Sequence, residues 1–277
     1  MWVGIAISLL VFGFVFQCYF FYRQLRHLRT AKQTDDNLTS EISSIEYEQA
    51  RSYQIDMCKF SFADSAYDLL LGITAIRLMY QLWEYTRFGG DFVHSIIFVI
   101  VSGVLTSLSK LPVSVFVTFV IEEKHGLNTT TPTKFIADSA KSLAVTLLAN
   151  TVCLTALLFV YKLCGAQPIF LVIAVTIFVI LLNTIYPSVI LPLFSKLSPL
   201  PEGELRSEIA RLVDDSGIKI KDICVTDDSV KSTKQNAFLC GMLTKTVCIA
   251  DTAIEKCSTG EILGIVAHEL GHAYHHH

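Results

Sequence analysis

The chain has 277 residues, of which 52% are hydrophobic and only 17% charged, and its mean hydropathy is +0.51. A soluble domain carries about 45–50% apolar and about 25% charged residues, and here the apolar excess comes in long blocks, the composition of a membrane protein rather than a wholly soluble one. The net charge of −3 offers no basic surface to nucleic acid.

Trp2 to Tyr22 is an apolar run long enough to span a bilayer, which takes about 20 residues. A secretory signal would carry its positive charge before such a run and a small-residue cleavage site after it. Here the charge follows, as Arg23, Arg26, Arg29 and Lys32, so the run is expected to be a retained anchor with its basic flank in the cytosol. Residues 30 to 56 are a polar connection broken at Thr34-Asp35-Asp36-Asn37 and partly helical through Ser40–Gln54. Phe60 to Trp83 is a weaker span because it carries Asp64, Asp68 and Arg77. Asp64 and Asp68 share a helix face, and charges at that depth either face a bundle interior or lie at the interface.

Phe92 to Ile121 is a third span, interrupted by Lys110-Leu111-Pro112, where the proline should kink it. Ile121 to Pro132 is a polar loop closed by turn residues, with His125 expected to be solvated. Ser142–Leu163 and Ile169–Phe194 are the fourth and fifth spans, the last bent by Pro187 and Pro192 and carrying Asn183. Five spans from a lumenal start put everything after Phe194 in the cytosol. Asn37-Leu38-Thr39 and Asn128-Thr129-Thr130 match glycosylation acceptors, but both fall on the cytosolic side.

From Ser195 the composition becomes that of a soluble domain. Pro201 to Asp215 reads as an amphipathic helix with Leu205, Ile209 and Leu212 on one face, ended by Gly217. Ile218 to Val225 alternates like a half-buried strand, Asp227 to Gln235 is a loop, and Asn236–Leu243 with Thr246–Ala250 reads as a β-hairpin around Thr244-Lys245. A small sheet beside a site helix can present an open edge to an extended peptide. The eight cysteines form no C-x-x-C pair, so they are expected to be free core residues in a cytosol-facing setting.

The stretch that carries chemistry is Ile265-Val266-Ala267-His268-Glu269-Leu270-Gly271-His272. Residues four apart on a helix share a face, so His268 and His272 can direct ring nitrogens at one Zn²⁺, whose bonds to nitrogen are about 2.0–2.1 Å. Glu269 lies beside the first ligand, placed to act as general base toward a water that the metal acidifies. Ser258-Thr259-Gly260-Glu261 is a capping box that starts the helix, and Ile262, Leu263, Ile265, Val266 and Leu270 mark its buried stripe. The plainer alternative is an amphipathic helix with a histidine pair on its polar face.

Five spans, an Ile-Glu-Glu-Lys-His-Gly-Leu-Asn loop after the third, an Asn-Ala-Phe strand and Ala-His-Glu-Leu-Gly-His together resemble the type I CAAX prenyl proteases from the first span to His272. Ile121 and Leu127 stand where that family's loop usually has phenylalanine. The resemblance implies a mainly α, multi-span helical membrane protein with a small α+β zincin-like cytosolic domain: residues 1–194, with cytosolic loops 23–59 and 122–140, then residues 195–277. It implies a zinc metalloendopeptidase of the endoplasmic-reticulum membrane that removes the last three residues of farnesylated Cys-a-a-X proteins. His268 and His272 would then be zinc ligands, Glu269 the general base, and Asn236-Ala237-Phe238 a peptide-binding edge.

Family members supply a third ligand, a glutamate in a later E-x-x-x-D segment, so this chain is expected to be a truncated form of the enzyme. His275, His276 and His277 follow His272 too closely for the extended zincin spacing of six residues, and read as a tail. Two competing readings remain: a catalytically inactive membrane protein with a regulatory or interaction role, and a channel or transporter motivated by Asp64, Asp68, Arg77 and Lys110. The second gives no reason for a capped H-E-x-x-H helix.

Overall fold

The computed structural model describes residues 2–30, 43–165, 167–241 and 245–275. The Asp35-Asp36 break, the acceptor at Asn37, the hairpin turn at 242–244, and His276 and His277 lie outside them. The chain divides into two compact units, Met1–Gly126 and Leu127–His277.

The described residues of the first unit form three long helices: α1 (Trp2–Thr30), α2 (Ser44–Tyr85) and α3 (Asp91–Phe116), the last continuing as a wider π-helical segment over Val117–Glu122. Ser43 caps α2 in a reciprocal capping box with Glu46. Arg51 of α2 donates to the carbonyls of Leu28 and Arg29 at 2.6 and 2.9 Å, satisfying acceptors that the end of α1 leaves orphaned. Phe21 meets Phe62 edge-on, and the Cys58 thiol donates to the Phe21 carbonyl at 3.3 Å. Gly72 lets the two helices close, since a Cβ there would stand 3.1 Å from the Leu10 side chain.

Between α2 and α3, Phe60 stacks on Phe116, the Tyr67 hydroxyl donates to the Ser109 carbonyl at 2.7 Å, and Lys110 pairs with both Asp64 and Asp68. The two carboxylates therefore share one ammonium. Pro112 does not end α3; the missing N–H is followed by the π-helical turn, which shifts the bonding pattern instead.

His125 corrects an expectation. It is not solvated: its side chain is 11% exposed, its Nε2 is 3.1 Å from Asp56, and its ring meets Tyr53 edge-on. Lys124 joins the same carboxylate at 2.6 Å. These bonds hold the Asp56 carboxyl down at about 2, the Lys124 hydrogen bond contributing most. A partner some 70 residues upstream leaves no signal in the loop's own sequence.

The second unit begins with α4 (Pro132–Cys164), capped by Thr131 with Pro132 in the first turn, so helix starts well before Ser142. Then come α5 (Pro168–Ile185), a π-helical segment over Tyr186–Ile190 that contains Pro187, and the short α6 (Leu191–Phe194). Among the described residues, four helical stretches meet length and apolarity for crossing a membrane: Val3–Thr30, Asp91–Glu122, Pro132–Cys164 and Pro168–Phe194. The expected second span lies in α2, where Asp64, Asp68 and Arg77 dilute the apolar character.

The rest of this unit is β1 (Leu197–Pro199), α7 (Glu204–Ser216), β2 (Ile220–Thr226), β3 (Ala237–Cys240), β4 (Lys245–Ala250), α8 (Asp251–Lys256) and α9 (Thr259–Tyr274). Gly217 ends α7 at φ 69°, the left-handed cap that glycine takes without a Cβ clash. The sheet order is β1-β2-β4-β3, with β2 and β4 parallel and both outer pairs antiparallel. The hairpin reading of β3 and β4 holds; β1, α8 and the parallel pairing were not anticipated.

One face of this sheet carries Ile223, Val247 and Ile249 into a core with Ile209 and Val213 of α7, Ala253 of α8, and Ile262, Val266 and Leu270 of α9. The opposite face carries Cys240 and Cys248 against Leu191, Leu197 and Phe238.

Candidate metal centre

The motif helix α9 is specified at its start and along one side. The Ser258 amide and hydroxyl donate to the Glu261 carboxylate at 2.7 and 2.8 Å, and the Glu261 amide returns a bond to the Ser258 hydroxyl at 3.4 Å. The backbone bond from Ser258, followed by its hydroxyl, holds the Glu261 carboxyl below the usual range. Ile262, Val266 and Leu270, each four apart, are buried at 2, 0 and 3% exposure. That stripe fixes the rotation of the helix.

His268 and His272 follow Val266 and Leu270 by two residues each, about 200° around the helix axis, and so emerge on the face opposite the core. Both are exposed, and Glu269 between the stripe and the pair is half-buried. The Nε2 atoms of the two imidazoles stand 2.9 Å apart, with the rings edge-to-face at a centroid distance of 4.5 Å. One ring N–H donates to the lone pair of the other ring.

Tetrahedral zinc with bonds of about 2.0–2.1 Å needs nitrogens about 3.3 Å apart. The pair converges on that geometry and has only to spread by a few tenths of an ångström. These two donors fit a zinc ion. Among the described residues no group of three His, Cys, Asp or Glu side chains is gathered to hold a metal; toward a zinc ion the pair would supply two of the three protein ligands that a catalytic site uses. His275, the helix C-cap residue, is not assembled with them into such a group.

Beside α9 lies the edge strand β3. Its register pairs Ala237 with Ile249, Phe238 with Cys248, Leu239 with Val247 and Cys240 with Thr246. The Asn236 carbonyl accepts from the Ala250 amide at 2.9 Å, extending the pairing one residue back. At the other edge β1 ends in Pro199, whose missing N–H blunts that side against strand addition.

Sequence reasoning missed what fixes the loop between β2 and β3. Asp251 accepts from the Ser229 amide and hydroxyl at 2.8 and 2.5 Å and from the Thr252 amide at 2.8 Å. Asn128 forms a bridge with Ser232, and the Thr129 and Thr130 hydroxyls donate to the Ser229 and Lys231 carbonyls at 2.7 and 3.0 Å. The Thr-Thr-Thr run is the only trace of this strap in the sequence.

Fold and motif helix together define a class: a multi-pass helical membrane protein whose last portion is a small zincin-like α+β domain. Comparison with known proteins narrows it. Residues 24–196 match the model of the CAAX prenyl protease N-terminal region, described as five membrane helices, and residues 199–277 match peptidase family M48. A CAAX prenyl protease 1 homolog of Oryza sativa subsp. japonica is 31% identical over 96% of this chain and 66% of its own length. CAAX prenyl protease 1 of Saccharomyces cerevisiae is 30% identical over 100% of this chain and 64% of its own. The crystal structure of S. mikatae Ste24p superposes with a TM-score of 0.87 at 29% identity, covering 100% of this chain and 68% of that one. The chain belongs to the CAAX prenyl protease family of M48 peptidases, and it spans about two thirds (66%) of the length of the first curated relatives it matches.

Proposed function

We propose that this chain carries the metal-binding helix and membrane scaffold of a zinc metalloendopeptidase that removes the last three residues of farnesylated Cys-a-a-X proteins at the endoplasmic-reticulum membrane. The observation that carries the reading is the convergence of His268 and His272 Nε2 at 2.9 Å on a helix locked by a capping box and a buried stripe. His268 and His272 hold the zinc, and a glutamate from the family's later E-x-x-x-D segment completes the set. When bound, zinc polarises the scissile carbonyl and acidifies a water. Glu269 takes the proton of the attacking water and passes it to the departing amine. The edge of β3, with Asn236, Ala237 and Phe238, holds the substrate backbone by strand addition.

In this reading residues 1–194 form the membrane region with α2 as a fifth span. The basic flank Arg23, Arg26 and Arg29 lies in the cytosol, as does the domain from residue 195. A second reading, an inactive family member with a regulatory or interaction role, draws on the two-ligand set found among the described residues.

The test is zinc content and cleavage of a farnesylated Cys-a-a-X peptide by the purified protein, with His268→Ala and Glu269→Gln beside it. About one zinc per chain, lost in His268→Ala, with tripeptide release lost in Glu269→Gln while its zinc remains, is the expected result. Zinc-free protein that releases no tripeptide sinks the peptidase reading for this chain and leaves the inactive one.

A further inference from the structure

The sheet face turned away from α9 carries two cysteines that the peptidase reading does not use. Cys240 and Cys248 have their sulfurs 3.5 Å apart and are 7 and 0% exposed. They share a face because Cys240 opposes Thr246, two residues before Cys248 in β4, which makes the thiols diagonal cross-strand neighbours. Cys240 is also within reach of the Thr246 carbonyl, 3.7 Å away. Leu191, Leu197 and Phe238 pack against them.

We propose that Cys240 and Cys248 are a reversible thiol–disulfide pair, oxidised by hydrogen peroxide, whose closure draws the end of edge strand β3 toward β4. A disulfide is about 2.05 Å long, so the sulfurs must approach by roughly 1.5 Å. Diagonal Cα atoms stand about 7–8 Å apart, whereas bridged cysteines usually lie at 4.4–6.8 Å, so the backbone has to follow. β3 has one sheet neighbour, and Gly241 just after it sits at φ 93°, so this end can shift where a central strand cannot. A bridge that bends its own strand is easily reduced, which makes it regulatory rather than structural.

The thiols are not equivalent. The contact between the two sulfurs, in which either can donate, lowers the Cys240 thiol and raises that of Cys248. Cys240, on the edge strand and 7% exposed against 0% for Cys248, is the thiol that peroxide reaches first and so the nucleophile. Its thiolate attacks one peroxide oxygen, the O–O bond breaks, and hydroxide leaves, giving the sulfenic acid. The Cys248 sulfur then attacks the Cys240 sulfur, the S–O bond breaks, and hydroxide leaves with the thiol proton as water. Two thiols and one peroxide yield one disulfide and two waters, the two electrons passing to the peroxide.

The proposal is independent of the peptidase reading, because the bond is read covalently. The intact protein in membranes is treated with hydrogen peroxide, blocked with N-ethylmaleimide without reductant, and mapped by peptide mass spectrometry. The expected result is a linked Cys240–Cys248 peptide two hydrogens lighter than its parts, with N-ethylmaleimide labelling lost at both positions together and restored by dithiothreitol. In Cys248→Ala, dimedone is expected to label Cys240. Faster hydrogen exchange at the Leu239 and Cys240 amides of the oxidised wild type reports the strand shift. Recovery of both thiols unlinked while the exposed Cys164 is oxidised overturns the proposal, as does a link from either cysteine to Cys224.

Discussion

Lys110 of α3 lies 3.2 Å from Asp64 of α2 and also holds Asp68, one turn further along the same helix. The cluster is two carboxylates around one ammonium, and its members are 31 to 50% exposed. Removing one partner of a fully buried pair costs about 3–5 kcal/mol because a charge is left unmatched. With this degree of exposure, Lys110→Met should lower stability by about 1–3 kcal/mol. Neutralising all three positions, with Asp64→Asn and Asp68→Asn added, should recover most of that. Unfolding midpoints of the detergent-solubilised variants decide it; equal midpoints for the single and triple variants would show that the cluster does not couple the two helices.

Asp56 supplies a pH dependence with a defined sign. Its carboxyl is held at about 2 in the fold, chiefly by Lys124 and then His125, against about 3.9 in an unfolded chain. The fold thus favours the ionised form. The contribution is complete above about pH 4 and is lost as pH falls through about 2. Asp56→Asn should flatten the stability curve in that window alone, with little change in slope between pH 5 and 7. Denaturation midpoints measured across both ranges check it.

Ser258→Ala tests whether the helix start and the histidine pair are separable. Losing an N-cap hydroxyl costs typically about 1 kcal/mol. The stripe of Ile262, Val266 and Leu270 still sets the rotation of α9, so His268 and His272 keep their spacing. Stability should fall while zinc stoichiometry stays at the wild-type value, and Ser258→Asp should restore the stability. Zinc lost in step with stability would mean that the pair depends on the first turn.

Zinc itself should stabilise the protein through the two histidines. A ligand that binds only the folded state at 100 times its Kd contributes about 2.7 kcal/mol. Added zinc should therefore raise the unfolding midpoint of the wild type, and the rise should vanish in His272→Ala. A chelator should return the wild type to the variant's midpoint. An equal shift in both proteins would place the binding elsewhere.

The sequence by itself determined what depends on local periodicity and on chemistry within a turn or two. The apolar runs mark the long helices, the Ser258–Glu261 box and apolar stripe specify α9, and the i, i+4 spacing puts His268 and His272 on one face. Each of these is settled by the helix repeat and by neighbours a few residues away, so the residues announce it.

Only the tertiary structure decided the rest, because the partners lie far apart in the chain. His125 looked like a solvated loop residue until Asp56 and Tyr53, about 70 residues earlier, were brought against it. Asp64 and Asp68 were two costly charges until Lys110 paired with both. β1 is three residues long and exists through its pairing with β2, and β2 pairs in parallel with β4 across the whole β3 segment. The Cys240–Cys248 contact depends on the strand register, which sets the faces of a sheet and which neither short strand encodes alone.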